Sequence, residues 1–386
     1  MVLVSDRTHD VLDAAAGAPL ITFVRTRLPR AAFVSRPRPT ITDVARAAGT
    51  SKATVSAVLN DSSPVSPELR LRVMDAVEAL AYRPTRGASA AATRGGRSIG
   101  VLVKELDNPY FAGVIAGVRA HADAHGYTLL VASSERDPEV ERRTVTLLAD
   151  GLSGGDVAGL IVTPVLDDDA DLTHLFELRR RQVPFVLLGG IRGVPASLVG
   201  VDNLTAARAA GEHLVELGHT RIVHFGGPEG STQAAERVDG LRRACSAARV
   251  PFTDDDIVPA GAHLEDGYRA ALAFFREVAA ERRPTAVTCF NDLVAVGVCR
   301  ALAECGLRVP RDVSVVGYDD IPLLEYLSVP LTSVRVPTHE MGRMAAELLL
   351  RHVDGGAAMA TQKIYLDAEL VVRASTAAPA AAERAA

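Results

Sequence analysis

From Ser98 to about Arg373 the chain alternates short apolar runs with longer amphipathic ones, and few folds are compatible with that alternation. Ile99–Val103, Tyr127–Val131, Leu160–Val162, Phe185–Leu188, Arg221–Phe225, Ala286–Phe290 and Val313–Tyr318 read as strands without a consistent polar face. Between them Ala112–Ala124, Asn203–Leu217 and Leu293–Glu304 carry helical periodicity. A strand that is apolar on both faces must be covered on both, which predicts an α/β architecture of doubly wound parallel sheets with helices on either side. About a dozen strands exceed what one compact open sheet usually holds, so two sheets side by side are expected.

The charge is divided unevenly. Residues 1–98 contain 14 Lys and Arg against 8 Asp and Glu, whereas the remainder contains 28 against 39. A basic front on an acidic body points to a small polyanion-binding module ahead of a larger domain. With 48% hydrophobic and 23% charged residues, the 386-residue chain is not a disordered one. No run reaches the roughly 18 apolar residues that a membrane-spanning helix needs. The nearest approach to a signal-peptide core, Ala14–Val24, follows Asp6, Asp10 and Asp13 rather than a basic stretch, so a cytoplasmic location is expected. Cys245, Cys289, Cys299 and Cys305 form no CxxC pair and read as core residues in a reducing compartment.

The most informative stretch is Thr40–Asn60. Thr40 can cap a helix with Asp43 at the return position, and Gly49 permits a left-handed turn that ends it. Ser51 then caps a second helix, and Ala45, Val55 and Val58 are small or branched where two steeply crossed helices must approach. Ser66-Pro67-Glu68 opens a third helix, with Leu69, Val73, Ala76, Val77 and Leu80 as its core face. This is a helix-turn-helix pattern, in which the second helix enters the major groove of DNA.

The string is more particular than a generic helical hairpin. Thr40-Ile41-x-Asp43-Val44-Ala45, Ala48-Gly49-x-Ser51, Thr54-Val55-Ser56, Val58-Leu59-Asn60 and Tyr82-Arg83-Pro84 resemble the LacI family of bacterial transcription regulators. The resemblance continues through Asn108-Pro109-Tyr110-Phe111, Asp202-Asn203, Gly218-His219, Asn291-Asp292, Gly317-Tyr318-Asp319-Asp320 and Pro330-Leu331-Thr332-Ser333-Val334. It implies a small all-α head over 40–84, a hinge linker over 85–97 and a two-lobed periplasmic-binding-protein-like core over 98–373. Residues 1–39 and 374–386 fall outside it and are expected to be disordered.

For the head, the resemblance implies that Ser51, Lys52, Ala53 and Thr54 face base edges. Lys52 can donate to guanine, and Ala53 offers only apolar contact. Thr42, Thr54, Ser56 and Asn60 are expected phosphate contacts; for Thr54 and Ser56, local capping or packing is the competing role. The linker departs from the family, with Ala88-Ser89-Ala90-Ala91 where relatives carry an Arg and a wedging Leu. Alanine is too short to unstack a base step, so weaker bending is expected, with Arg83, Arg86, Arg94 and Arg97 drawing phosphates.

For the core, ligands of such sheets collect at the carboxyl ends of the strands. The resemblance implies Tyr110 or Phe111 stacking on a ring, Arg237, Asn291 and Asp319 as hydrogen-bonding partners, and Ser231 and Gln233 as further contacts. Such a set suits a sugar-like effector. Asn291 and Asp319 could instead cap the elements that follow their strands, and Arg237 could pair with Glu236 or Asp239.

Other motifs carry no chemistry on this reading. Pro228 interrupts the Gly226–Ser231 run as a phosphate cradle, and Asp167–Asp169 and Asp254–Asp256 lack the Gly and Glu of a calcium loop. The ten histidines are scattered, and neither a metal site nor a cofactor is expected. The expected protein is not an enzyme. It is a homodimeric, ligand-responsive regulator, most simply a repressor of a double-stranded DNA operator, with no membrane partner. A solute-binding protein and a sugar or nucleoside enzyme on the same two lobes are the rival classes.

Overall fold

The computed structural model describes residues 40–60, 65–80, 97–153, 157–165, 171–191, 193–355 and 360–380. The expected extension 1–39, the last residues 381–386, and linker positions Arg83, Arg86, Ala88, Ala91 and Arg94 lie outside the described residues. The chain divides into two compact units, with the boundary between Pro84 and Thr85.

Among the described residues the first unit has three helices: α1 (Ile41–Ala47), α2 (Lys52–Asn60) and α3 (Pro67–Ala79). Asp43 accepts from the Thr40 amide at 2.9 Å and from its hydroxyl at 2.7 Å, which closes the first turn of α1. Gly49 takes φ 62° and turns the chain into α2, where the Thr54 amide donates to the Ser51 hydroxyl at 3.1 Å. Val44, Ala45, Ala48, Val55, Val58, Val73 and Ala76 form the buried core, and the small residues among them let α1 and α2 cross closely.

The second unit holds twelve strands in two six-stranded sheets among the described residues. The first lobe has the order β11-β5-β4-β3-β1-β2, and the second β12-β10-β9-β8-β6-β7. In the first lobe these are β1 (Arg97–Val103), β2 (Tyr127–Ser133), β3 (Val157–Val162), β4 (Phe185–Leu188), β5 (Ser197–Val201) and β11 (Lys363–Leu366). The second contains β6 (Ile222–Gly226), β7 (Ile257–Pro259), β8 (Ala286–Cys289), β9 (Ser314–Asp319), β10 (Thr332–Arg335) and β12 (Glu369–Val371). Every ladder is parallel except that of β10 with β12. The chain passes between lobes three times, after β5, after β10 and after β11.

Among the described residues eight α-helices cover the sheets: α4 (Pro109–Ala124), α5 (Pro138–Ser153), α6 (Thr173–Arg180), α7 (Asn203–Glu216), α8 (Thr232–Ala247), α9 (Leu264–Glu277), α10 (Asp292–Glu304) and α11 (Thr338–Gly355). They pack chiefly in pairs: α4 on α11, α7 on α8, and α9 on α10. Gly240 of α8 lies against α7 so closely that a Cβ there would press on the Leu204 carbonyl and sit 2.8 Å from the Arg208 amide nitrogen. Backbone-to-backbone approach of this kind is open only to glycine.

One expectation needs correction. The chain after Arg373 is not a loose tail from residue 374. Ser375 is fully buried, accepts from the Thr332 amide at 2.8 Å and donates to the Val315 carbonyl at 2.6 Å. The Ala377 carbonyl meets His219 Nε2 at 2.9 Å, so the core runs past position 373. Alanine-rich composition concealed this, because polar bonds rather than an apolar stripe hold the segment.

Gly240→Ala is expected to destabilise the second unit by about 1–3 kcal/mol, since α7 and α8 must part to admit the methyl. Urea unfolding of the two proteins checks this; an unchanged midpoint would contradict the close packing.

Candidate functional site

Two surfaces bring the expected residues together, one on each unit. On the head, Ser51, Lys52 and Ala53 are exposed at the start of α2, and Thr54, Ser56 and Thr42 are half-buried. A helix N-terminus with an exposed lysine suits the approach of a phosphate-lined groove. Thr54 also has a local task, its hydroxyl lying 2.9 Å from that of Ser51. The competing capping role is therefore met in the structure. Asn60 closes α2.

In the core, the loops leaving the carboxyl ends of β1, β3, β4, β6, β8 and β9 meet at one interlobe cleft. One hollow is lined by Tyr110, Gly189, Asn203, Gln233, Glu236 and Arg237, among others. An adjoining hollow is lined by residues including Tyr110, Phe111, Arg136, Thr163, Gln233, Arg237, Asn291 and Asp319. Topology alone requires this convergence, because each parallel strand delivers its next loop to the same edge.

Arg237 is the cleft's centre. It is only 7% exposed although it stands on a helix. Its guanidinium carbon lies 3.5 Å from the centre of the Tyr318 ring and 4.8 Å from that of Phe290. Nε donates to Asn203 Oδ1 at 3.1 Å, Nη1 donates to the Phe290 carbonyl, and Nη2 stands 3.9 Å from Asp319 Oδ1. The pairings with Glu236 or Asp239 are not made. Glu236 accepts instead from Asn203 Nδ2 at 3.0 Å, and Asp239 from Arg242 at 3.0 Å. A planar cation held between aromatic faces, two acceptors and a nearby carboxylate is fixed in direction before any ligand arrives.

Asp319 ends β9 with φ 112°, followed by Asp320 at φ 59°. Two successive side-chain-bearing residues in this region are strained, and neighbouring bonds must hold them. Asp292 supplies those bonds: it accepts from the Ile321 amide at 2.8 Å and from the Ser333 hydroxyl at 2.6 Å. Burial drives the Asp292 carboxyl well above its ordinary range. Burial also pushes Asp319 from 3.8 up to about 7, against the opposing pull of Arg237.

Asn291 has a structural task. It caps α10 by accepting from the Val294 amide at 2.9 Å, and its Nδ2 donates to the Ala262 carbonyl at 2.8 Å. It lines the cleft with both ends of its amide engaged. Ser231 caps α8 through the Ala234 amide at 3.3 Å and is not among the residues lining either hollow. Gln233 lines both hollows. Tyr110 is half-buried and lines both, whereas Phe111 is 4% exposed, its ring meeting that of Tyr110 edge-on at 5.0 Å. Of the two aromatics, Tyr110 offers the more accessible face.

Several cleft residues escaped the sequence reading. Asn203 ties Arg237, Tyr318 and Glu236 together, and Thr163 contributes a buried hydroxyl with no hydrogen-bond partner. Glu105, 1% exposed, receives Arg136 at 2.7 and 2.9 Å and Asn108 at 3.1 Å. Burial lowers the Lys104 amine to about 7. A charged Lys-Glu pair after an apolar strand was the available signal, since such residues are rarely placed there unless paired. His121, near the end of α4, and His125, which follows the helix, stand four apart with ring centroids 4.3 Å from each other. Among the described residues no group of three or more His, Cys, Asp or Glu could hold a metal ion. No helix of the described residues is long and apolar enough to cross a membrane.

Residues 40–85 match the family described as bacterial regulatory proteins, lacI family, and residues 212–376 match a periplasmic binding protein-like domain. The chain is 32% identical to the HTH-type transcriptional regulator DegA of Bacillus subtilis over 338 residues, which cover 87% of this chain and 98% of that one. It is 35% identical to the HTH-type transcriptional regulator CelR of Thermobifida fusca over 350 residues, 88% and 99% of the two chains. Among solved structures, a CelR–cellobiose complex is similar at a TM-score of 0.65 and 31% identity, covering 88% of this chain and 100% of that one. The lac repressor dimer bound to operator and an anti-inducer matches at 0.64 and 29% identity, covering 89% and 100%.

The raised Asp319 carboxyl sets a pH dependence. A carboxyl whose folded pKa exceeds its unfolded one contributes stability that is full below the unfolded value of 3.8 and is lost as pH rises through about 7. Asp319→Asn removes that titration. Urea melts across this range should show the wild type losing stability relative to the variant as pH rises, and parallel profiles would contradict the assignment.

Proposed function

The chain belongs to the lacI family of bacterial regulatory proteins, and on that premise we infer that it is a DNA-binding transcriptional regulator controlled by a small ligand in the interlobe cleft. The observation that carries this reading is the presence, on one chain, of a helix-turn-helix head and a two-lobed core whose loops converge on Arg237. The relatives named above are regulators rather than enzymes.

The head acts by laying the exposed start of α2 in the major groove. Lys52 donates to a guanine edge, Ala53 meets a thymine methyl, and Ser51 and Thr54 contact the bases beside them. Thr42, Ser56 and Asn60 hold phosphates and set the register. Two copies about a two-fold axis read a pseudopalindromic operator, and blocking transcription there makes the protein a repressor.

The effector is a sugar or sugar-like molecule. Its ring stacks on Tyr110, and its hydroxyls bond to Arg237, Asp319, Gln233 and the unpartnered Thr163 hydroxyl. Cellobiose in the CelR complex, a structural neighbour of this chain, supports a saccharide class. Ligand that bridges the lobes favours their closed arrangement, and the coupling to operator affinity is reciprocal, typically about 1–3 kcal/mol.

Binding of genomic duplex fragments should weaken steeply as salt rises, as the release of phosphate counterions requires. Lys52→Ala should weaken the preferred site by about 1–3 kcal/mol and relax its sequence preference. Electrophoretic or fluorescence titration reads both; salt-independent binding, or an unaltered preference in the variant, would contradict the reading. For the cleft, a thermal-shift screen of mono- and disaccharides should find at least one that raises the melting temperature of the wild type but not of Arg237→Ala.

A further inference from the structure

The turn that carries Asp319 into the cleft also holds two of the three interlobe crossings where they meet the second lobe. One crossing follows β10, and its leading residue, Val336, donates its amide to the Asp319 carbonyl at 3.2 Å. The other runs from β11 to β12, which begins at Glu369. Arg335, the last residue of β10, joins them: Nε donates to Asp320 Oδ2 at 2.7 Å, and Nη1 donates to Glu369 Oε1 at 3.1 Å. We propose that Asp320 is a positioning residue that fixes the second-lobe ends of both crossings through Arg335, and thereby limits the angle between the lobes.

The backbone comes first. Asp320 stands at φ 59°, beside Asp319 at φ 112°, and residues with side chains keep such conformations only where their surroundings enforce them. Two amides of this turn are anchored in the core. That of Asp320 donates to the Ser333 hydroxyl at 3.2 Å, and that of Ile321 to Asp292 at 2.8 Å. The direction of the Asp320 side chain is thereby set. Its carboxylate is only 5% exposed, and a charge so buried needs a cation beside it. Arg335 supplies one through its hydrogen bond. Arg373, whose Nη1 donates to the Leu331 carbonyl at 2.8 Å, places a second positive charge 2.7 Å from Asp320 Oδ1 without a hydrogen bond there.

A guanidinium is a rigid planar fork, so its two acceptors are held at a set separation. The end of β9, the end of β10 and the start of β12 are thus braced as one piece. Bending between the lobes is left to residues 336–337 and 367–368, the short stretches between the braced ends and the first-lobe elements. The crossing after β5 is held by a separate set, in which Asn203 accepts from Arg237 Nε and from the Tyr318 hydroxyl, each at 3.1 Å. Releasing the Asp320 brace frees more backbone at two crossings, and a longer free segment admits a wider range of lobe angles. A ligand bonded to Asp319 loads the same turn, so the brace would carry its seating to the hinge. That consequence rests on the function proposed above; the brace itself does not.

Spin labels on ketone-bearing side chains at exposed Arg143 of α5 and Glu277 of α9, one per lobe, report the interlobe distance distribution of the full, ligand-free chain. Asp320→Asn removes the charge and keeps a residue that tolerates the left-handed backbone. It should broaden the distribution, and the Val336 amide should exchange with solvent roughly threefold to tenfold faster. Asp312→Asn removes an equal charge from the ion pair with Arg308 elsewhere in the same lobe and should change neither readout. Arg335→Gln should reproduce the effect of Asp320→Asn, and carries the test if that variant fails to fold. The double variant should be no broader than either single one, because the two side chains act as a unit. Wild-type width and exchange in the single variants, additive effects in the double variant, or an equal response from Asp312→Asn would overturn the proposal. Neither DNA nor effector is added, so loss of the regulator reading leaves this measurement intact, and a negative result here leaves that reading intact.

Discussion

The constraint on which the core depends is that two parallel sheets turn their carboxyl edges toward one cleft while three chain crossings hold them together. A parallel sheet cannot scatter its post-strand loops, because every crossover returns to the same starting edge. Residues distant in the chain, such as Thr163, Arg237 and Asp319, are thereby brought to one hollow. The crossings permit relative motion without separating the lobes, since hinges need only a few connecting residues.

Within the cleft, charge is buried deliberately. A guanidinium 7% exposed would be costly without partners, and Arg237 has two aromatic faces, two oxygen acceptors and a nearby carboxylate. Asp292 performs the same service for the strained turn at Asp319 and Asp320, holding it with two short bonds. A preformed polar cradle loses less on binding than one that must be assembled around its ligand. The cross-lobe contact between Glu105 and His263 belongs to the same economy of paired charge, at the rim rather than the centre.

Much of the fold was legible in the sequence because its signals are local. Apolar runs free of polar alternation called for covered parallel strands, and twelve strands stand in two sheets among the described residues. The head was legible from its caps: Thr40 with Asp43, Gly49, and Ser51 each act as their types suggest. The reading was weaker where one residue type serves two purposes. Asn291 lines the cleft, yet its amide is spent on capping α10 and holding Ala262, and Ser231 caps α8 outside both hollows. The segment around Ser375 was misread because alanine content carries no information about backbone bonds made to distant strands.

The sequence by itself determined the class of fold, the division into a basic head and an acidic body, and the family resemblance. Each depends on spacing along the chain, and spacing is inherited directly by helices and strands. Only the tertiary structure decided that Arg237 stacks on Tyr318 instead of pairing with Glu236 or Asp239, and that Glu105 meets His263. Those contacts join residues many turns and strands apart, and their partners are selected by burial and by the facing of two sheet edges, which no local pattern encodes.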